Sequence, residues 1–337
     1  MSSVLVAGLG DVGVRTARQL LDTPGVDQVY VAAHDLDHAR TVASALHDGA
    51  TPWELHHHAP SFPDGLAAIA AALPGDVDIE LAAAAVNAGV SYASAADDAE
   101  TITALLALGA DAQRAGTRVA VGCGLAPGLS DVLARHAAAA LDSVDEIHVA
   151  RWGVGGDACI ESVRRAHREP ALEWRDGELV EDRAHGNELV WFPDPVGARE
   201  CRLVAAGLEL LVAANPGVER ATMRLGGPTQ RLRVRRALTP PPRRDPGAGW
   251  GSVRVEAWGT RGVARDAVVY GVIEHTAVAA GTVLGVTAAC LANAVDGVIA
   301  TEPGAFGLGA AVAPAAFLAE LARRGVKAAA FEGAVVG

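Results

Sequence analysis

Near its N-terminus the chain reads Val4-Leu5-Val6-Ala7-Gly8-Leu9-Gly10-Asp11-Val12-Gly13, an apolar run followed by three spaced glycines. The apolar run predicts a buried strand, and the pattern of residues 14–21 predicts a helix after the glycines. In such a unit Gly8 permits a tight turn, Gly10 lets a pyrophosphate approach the backbone, and Gly13 lets the helix pack close to the strand. The helix N-terminus offers unpaired N–H groups to phosphates. The stretch therefore predicts a dinucleotide site formed by Gly8, Gly10, Asp11, Val12 and Gly13.

Alternating strands and helices follow this stretch. The pattern predicts a strand at residues 28–33, a helix at 36–47 and a third strand at 53–58. This order is the first half of a doubly wound parallel sheet, which places the chain in the α/β class. The Ala-rich residues 65–73 favour a helix by local propensity, although a fourth strand is expected there, and both interpretations stay open. Further helices are predicted at 79–88 and 98–115, with strands at 90–93 and 118–122.

From about residue 143 the pattern changes to short alternating strands. Residues 147–152, 171–174, 189–192 and 220–225 are typical of an antiparallel sheet. Hairpins are predicted around Arg175-Asp176-Gly177 and between residues 253–258 and 267–273. A proline-rich segment at 239–247 predicts an exposed loop. The helical pattern returns from Thr276, and we expect residues 321–329 to form the end of a terminal helix.

Composition excludes several classes of partner and site. The formal net charge of −12 argues against nucleic acid and anionic membranes, which need a basic surface. The four cysteines are scattered without a C-x-x-C spacing, which argues against disulfides and structural zinc and indicates a reduced, cytoplasmic protein. Residues 277–295 carry no charge but are rich in Ala and Gly, so we expect a buried helix there rather than a membrane span. Neighbouring residues of the histidine run at 56–58 point to opposite faces of a strand, and no metal site is predicted.

The chain resembles the saccharopine dehydrogenase family in its reductase-like branch. The likeness rests on GLGDVG at residues 8–13, on AGVSY at 88–92, on AGT at 115–117, on GCGLAPGLSD at 122–131 and on the ending at 317–333. The resemblance implies a Rossmann domain at residues 1–125, an inserted α+β domain for substrate and dimerisation at 126–275, and a helical return to the first domain at 276–337. It also implies an NAD(P)-dependent oxidoreductase, a homodimer, that acts on a small imine, ketone or amino-acid-like substrate.

The sequence departs from this family at three positions. The family's Tyr-x-Asp appears here as Tyr92-Ala93-Ser94. The reductases' Gly-Leu-Asp-Pro-Gly has Ala126 in place of aspartate, and Asp131 stands where a histidine is often found. Saccharopine itself is therefore not the expected substrate.

The end of the second predicted strand bears on the choice of cofactor. An acidic residue there binds the adenosine ribose of NAD, and Ala33 occupies that place, followed by His34 and Asp35. Without the acid a 2′-phosphate is tolerated, and His34 or Arg40 can pair with it, so NADP is preferred. A shift of one residue makes Asp35 the ribose ligand and favours NAD instead. The predicted cofactor site is completed by His34, Asp35, Pro74 and Gly75, the last two at the position where a fourth strand opens toward the cofactor.

Four residues are candidate catalytic groups, and three of them have a structural alternative. Cys123 follows a strand end and either lines the nicotinamide pocket or packs as a small residue. Asp131 either orients substrate or stabilises a helix start. Tyr92 either donates a hydrogen bond to substrate or belongs to the core. His275 ends the last hairpin, near the expected interdomain cleft, and is a candidate acid.

Two further functions remain as alternatives to an oxidoreductase. The first is a transferase that keeps NAD(P) as a tightly bound prosthetic group. The second is a non-catalytic NAD(P)-binding protein, favoured by the missing family aspartates.

Overall fold

The computed structural model describes residues 2–46, 49–56, 58, 60–182, 187–227, 249–299 and 302–331. The N-terminal strands are β1 (Ser2–Ala7), β2 (Val26–Ala33), β3 (Ala50–Glu54), β4 (Leu66–Ala71), β5 (Ser91–Ser94) and β6 (Arg118–Val121). They pair in parallel in the order β3-β2-β1-β4-β5-β6. This is the doubly wound order, in which the connections change direction beside β1. The predicted α/β fold class is confirmed.

Six helices lie in the described N-terminal ranges, five of them between these strands and the sixth after β6. They are α1 (Asp11–Leu21), α2 (Leu36–Ala45), α3 (Gly75–Asn87), α4 (Ala99–Leu106), α5 (Gly109–Ala115) and α6 (Leu129–Ala138). The single helix predicted at 98–115 is wrong, because the chain breaks before Gly109, a residue of low helix propensity. The open question at residues 65–73 is resolved as strand β4, since pairing with β1 and β5 outweighs the helix propensity of alanine.

A second sheet follows in the chain. Its elements are β7 (Ser143–Trp152), α7 (Asp157–Ala166), β8 (Leu172–Arg175), β9 (Glu178–Glu181), β10 (Asn187–Trp191), β11 (Ala198–Val204), α8 (Leu208–Ala214), β12 (Arg220–Gly226), β13 (Trp250–Arg261) and β14 (Ala264–His275). The strand order is β10-β11-β12-β7-β13-β14, with the β8–β9 hairpin beside β12. The sheet is mixed rather than antiparallel throughout, because β7 and β12 run parallel.

The two predicted hairpins of this sheet are present. In the β8–β9 turn Asp176 and Gly177 both have positive φ, as a two-residue hairpin requires. The turn between β13 and β14 falls at residues 262–263, because the paired strands extend to Arg261 and Ala264. Helices α7 and α8 and strand β11 were not predicted. The loop expected at 239–247 lies outside the described residues.

The C-terminal part returns to both sheets. It consists of α9 (Thr276–Leu291), β15 (Gly304–Gly307), α10 (Leu308–Ala311), α11 (Pro314–Arg323) and β16 (Ala328–Phe331). Strand β15 extends the first sheet beside β6, and β16 pairs with β14 in the second. The helix end expected at 321–329 is wrong beyond Arg323, because the chain there leaves the helix and joins the second sheet. The domain limits at residues 125 and 275 stay a prediction.

Helix α9 is buried, as expected, although it ends at Leu291 and does not continue to residue 295. Its Gly281 and Gly285 lie against Arg15 and Gln19 of α1, where a Cβ would crowd the neighbouring helix. Glycine therefore allows α1 and α9 to approach closely. One hydrophobic cluster runs from Val6 on β1 through α9 and α6 to Val255 on β13, so the two sheets share a core.

Candidate cofactor and substrate cleft

The glycine turn between β1 and α1 has the geometry of a phosphate-binding loop. Gly8 has φ +87°, and a Cβ there would overlap the carbonyl oxygen of Ala72. A Cβ on Gly13 would overlap the carbonyl oxygen of Gly8, so the close approach of helix and strand depends on glycine. Gly10, by contrast, faces open space, with no atom within 4 Å of the position a Cβ would take. This space adjoins the free N–H groups of α1, where a pyrophosphate fits.

The N-terminus of α1 also faces the second part of the chain. A Cβ on Gly155 would lie 3.3 Å from Val12 Cγ2, and one on Gly156 would lie 3.3 Å from Asp11 Oδ2. These glycines belong to the loop between β7 and α7. The loop covers the turn from the side of the second sheet, so Asp11 and Val12 lie at the cleft between the two sheets.

The residues predicted to bind the adenosine ribose lie at the end of β2. Ala33 is the last residue of the strand, and His34 and Asp35 are exposed. The Asp35 carboxylate caps α2 by accepting hydrogen bonds from the N–H groups of Asp37 at 2.9 Å and His38 at 3.4 Å. Its capping role sets its orientation toward the helix.

Pro74 and Gly75 lie in and just after the short loop that follows β4, at the carboxyl edge of the sheet. Exposed Pro74 is the N-cap of α3. Gly75 is tightly packed, since a Cβ there would overlap the hydroxyl of Thr101. Both residues therefore border the edge where open α/β sheets bind ligands.

Tyr92 belongs to a buried hydrogen-bond cluster. Its hydroxyl donates to Asp78 Oδ1 at 2.6 Å, and the Ser94 hydroxyl donates to Asp78 Oδ2 at 2.5 Å. Burial raises the pKa of Asp78 to about 7, against the opposing effect of these hydrogen bonds. Burial and the neighbouring Asp78 raise the pKa of Tyr92 well above its ordinary value. Tyr92 is fully enclosed, and these contacts are those of a core residue; its catalytic role stays a prediction.

Cys123 and Asp131 are also fully buried. Burial raises the pKa of the Cys123 thiol to about 12, so the thiol is protonated at neutral pH and is a weak nucleophile. Asp131 Oδ2 accepts a hydrogen bond from the N–H of Gly128 at 2.9 Å, at the start of α6. Burial raises the pKa of Asp131 to about 7. These contacts match the structural alternatives for both residues, and their catalytic roles stay predictions.

His275 lies elsewhere, at the junction of β14 and α9. Its Nδ1 is 2.9 Å from the carbonyl oxygen of Gly249, and its ring stacks on Trp250 with a centroid separation of 4.4 Å. The ring is exposed. Cys123 follows β6 and therefore lies near Tyr92 and Ser94 on the neighbouring strand β5. Among the described residues, no contact joins His275 to these three.

A charged cluster that the sequence analysis missed joins the two sheets. Arg151, near the end of β7, donates from Nη1 to the carbonyl oxygen of Ala126 at 2.9 Å and to Asp97 Oδ2 at 3.4 Å. Its Nη2 is 3.6 Å from Cys159 Sγ on α7. Arg151 is 3% exposed. The sequence did contain a signal for this buried charge. Arg151 stands in a predicted strand and has apolar residues on both sides, Val149 and Trp152 among them.

Asp78 was also missed. The sequence places it directly before the helix predicted at 79–88, where an acid is ordinary as a cap. Its burial depends on the packing of α3 against β5, which the pattern of α3 alone does not reveal.

Solved structures of low sequence identity share this architecture. The apo histidine-tagged saccharopine dehydrogenase (L-Glu forming) from Saccharomyces cerevisiae has a TM-score of 0.67 at 12% identity, covering 98% of this chain and 100% of that chain. This chain has the fold of saccharopine dehydrogenase. A probable dehydrogenase from Thermotoga maritima gives 0.52 at 11% identity, covering 95% of each chain. The C. glutamicum DAP dehydrogenase in complex with DAP gives 0.51 at 15%, covering 96% of this chain and 99% of that one.

The resemblance to saccharopine dehydrogenase is thereby confirmed at the level of the fold. No protein-family model and no curated protein matches the chain by sequence. Among the described residues, no helix is long and apolar enough to cross a membrane. Within the same residues, His56 and His58 included, no group of three His, Cys, Asp or Glu side chains is placed to hold a metal ion; His57 is outside them.

Proposed function

We propose that the protein is an NAD(P)-dependent oxidoreductase. The observation that carries the proposal is the open space at Gly10, bordered by the N-terminus of α1 and by the cleft between the sheets. A nicotinamide dinucleotide bound there supplies the hydride donor or acceptor. The chain binds the phosphates with the N–H groups of the turn and excludes water with the loop of Gly155 and Gly156.

We propose NADP as the preferred cofactor, with NAD as the weaker ligand. Ala33 ends β2 without a carboxylate, and the Asp35 carboxylate is engaged as the cap of α2. The repulsion that an acid would exert on a 2′-phosphate is therefore reduced. Arg40, exposed near this strand end, supplies a positive partner, and the exposed His34 supplies a ring N–H donor.

We assign substrate binding to residues 126–275 and expect a small imine, ketone or amino-acid-like molecule. Support comes from the position of Arg151 and α7, which approach the carboxyl end of β5 from the second sheet.

The free state of the four cysteines, all within the described residues, is consistent with a cytoplasmic location.

We also propose a homodimer formed by the outer face of the second sheet. A cavity of about 330 Å³ lies on this face among β7, β10, β12 and β13. Its rim carries Leu189 and Trp191, which are 62% and 66% exposed. The face alternates arginines with glutamates, as in the pair Arg224–Glu188 at 2.7 Å, so a two-fold copy can meet it with complementary charge. Sedimentation of Trp191→Glu should give a monomer if this face is the interface.

Titration of Gly10→Val with NADPH tests the proposed cofactor site. A valine side chain would fill the open space and prevent the pyrophosphate from reaching the backbone, so binding should be lost while the melting temperature stays the same. Val14→Ala, at a partly buried position on the same helix, serves as the control and should bind normally. Normal NADPH binding by Gly10→Val would refute the site.

Measurement of turnover distinguishes the proposed enzyme from the alternatives. Net oxidation of NADPH with a carbonyl or imine substrate supports an oxidoreductase. Retention of the cofactor through dialysis without net consumption would indicate a transferase, and binding without any turnover would indicate a non-catalytic protein.

A further inference from the structure

The cluster around Arg151 lies where the two sheets meet. Asp97 follows β5 and Ala126 follows β6, both at the carboxyl edge of the first sheet, whereas Arg151 and Cys159 come from the second. In a doubly wound sheet this edge receives the ligand, and the side beyond β4 is the half opposite the adenosine. Arg151 therefore reaches the part of the cleft in which a substrate would meet the cofactor.

The hydrogen-bonding capacity of Arg151 is only partly used. A guanidinium group has five N–H donors. Nη1 serves the Ala126 carbonyl and the Asp97 carboxylate, but Nη2 meets only the thiol of Cys159, a weak acceptor. Among the described residues Nε has no partner, although it is buried. A buried donor without an acceptor is unfavourable, and a water, an ion or a ligand oxygen can satisfy it.

The neighbours of Arg151 compensate its positive charge only in part, so the group can still bind an anion. Arg151 makes a single contact with Asp97, at 3.4 Å, and the pair is not bidentate. Burial raises the pKa of the Cys159 thiol, so this neighbour carries no charge at neutral pH. A second arginine, Arg165 of α7, is 4.0 Å from Asp98 Oδ1 and offsets the charge of that carboxylate beside the cluster. Asp97 and Cys159 are partly exposed, so the solvent-facing side of the cluster is the side of these two residues.

We propose that Arg151 anchors a carboxylate of the substrate in the cleft. The carboxylate takes the Nε and Nη2 donors and displaces the thiol of Cys159, while Asp97 and the Ala126 carbonyl hold the guanidinium in place. This inference rests on the proposed function, because it assigns a substrate group to the same cleft. Arg151 binds and orients the substrate and takes no proton from it.

The test uses oxalate as the probe on the protein saturated with NADPH. Oxalate affinity is measured by calorimetry for the wild type, Arg151→Gln, Arg151→Lys and Arg265→Gln. Arg265 is an exposed arginine on β14 that pairs with Asp145 and Glu146, so its variant controls for loss of one positive charge. We expect Arg151→Gln to weaken oxalate binding about tenfold or more, Arg151→Lys to fall between, and Arg265→Gln to bind like the wild type.

Asp97→Asn supplies a second readout that does not depend on the stability of the Arg151 variants. Asparagine keeps an oxygen that can accept from Nη1 and hold the guanidinium, but it removes the negative charge that opposes an anion; oxalate binding should therefore tighten several-fold, whereas a purely structural ion pair predicts no gain. Absence of oxalate binding to the wild type, or equal affinity in Arg151→Gln, would overturn the proposal. The NADPH titration separates the two claims. If the proposed function is wrong, the protein does not bind NADPH. If only this inference is wrong, the protein binds NADPH normally but does not respond to oxalate.

Discussion

The two buried polar clusters of this protein differ in how completely their hydrogen bonds are satisfied. In the first, both carboxylate oxygens of Asp78 accept short hydrogen bonds, from Tyr92 and Ser94, and the cluster is enclosed within the first sheet. In the second, Arg151 keeps an unpaired buried Nε and bridges two sheets at a cleft. A satisfied cluster stabilises the fold, whereas an incompletely satisfied one at a cleft has donors to spare for a ligand.

Asp78→Ala should give the largest loss of stability. The change leaves the buried hydroxyls of Tyr92 and Ser94 without their acceptor, and we expect a loss of about 2–4 kcal/mol in the free energy of unfolding. Urea unfolding of this variant beside Asp76→Ala, an exposed acid in the same helix turn, measures the difference. Equal stability of the two variants would contradict the structural role of the first cluster.

The same cluster predicts a pH dependence of stability. The pKa of Asp78 is about 7 in the folded protein and near the ordinary aspartate value of 3.8 when unfolded, so the folded state binds more protons between these values. The contribution of Asp78 to stability is therefore full below about pH 4, falls as the pH rises toward 7, and stays constant above it. Asp131 contributes in the same direction. Melting temperatures from pH 5 to 8 should fall less in Asp78→Asn than in the wild type; an unchanged slope would place the proton elsewhere.

Arg151→Gln should cost less stability than Asp78→Ala. Asp97 is 21% exposed and can be solvated once its partner is lost, so we expect about 1–2 kcal/mol. If Arg151→Gln were less stable than Asp78→Ala, the contrast between the two clusters would be wrong. Its effect on oxalate binding should instead exceed that of any change at Asp78.

Cys159→Ser should have the smallest effect. The thiol is a weak hydrogen-bonding partner of Arg151, and a hydroxyl of similar size replaces it, so the free energy of unfolding should change by less than about 0.5 kcal/mol. Oxalate affinity should stay within about twofold of the wild type, a change smaller than the tenfold step worth about 1.4 kcal/mol. A large loss of affinity here would mean that Cys159 itself contacts the ligand.

Local patterns were sufficient for the glycine turn and for the strands with strong apolar runs. The positive φ of Gly8 and the tight packing of Gly13 follow from roles that the motif itself implies. The same patterns left residues 65–73 undecided and were wrong at the end of the terminal helix, because neighbours in space decided both outcomes. Residues 66–71 became a strand because β1 and β5 flank them, and residues 328–331 became a strand because β14 offers an edge.

The candidate site shows the same division. The sequence by itself determined the doubly wound fold and the position of the dinucleotide turn, because glycine spacing and hydrophobic periodicity act over a few residues. Only the tertiary structure decided that Tyr92, Cys123 and Asp131 are enclosed in the core. It alone also brought Arg151 to Asp97 and Cys159, since burial and charge pairing depend on which elements pack together.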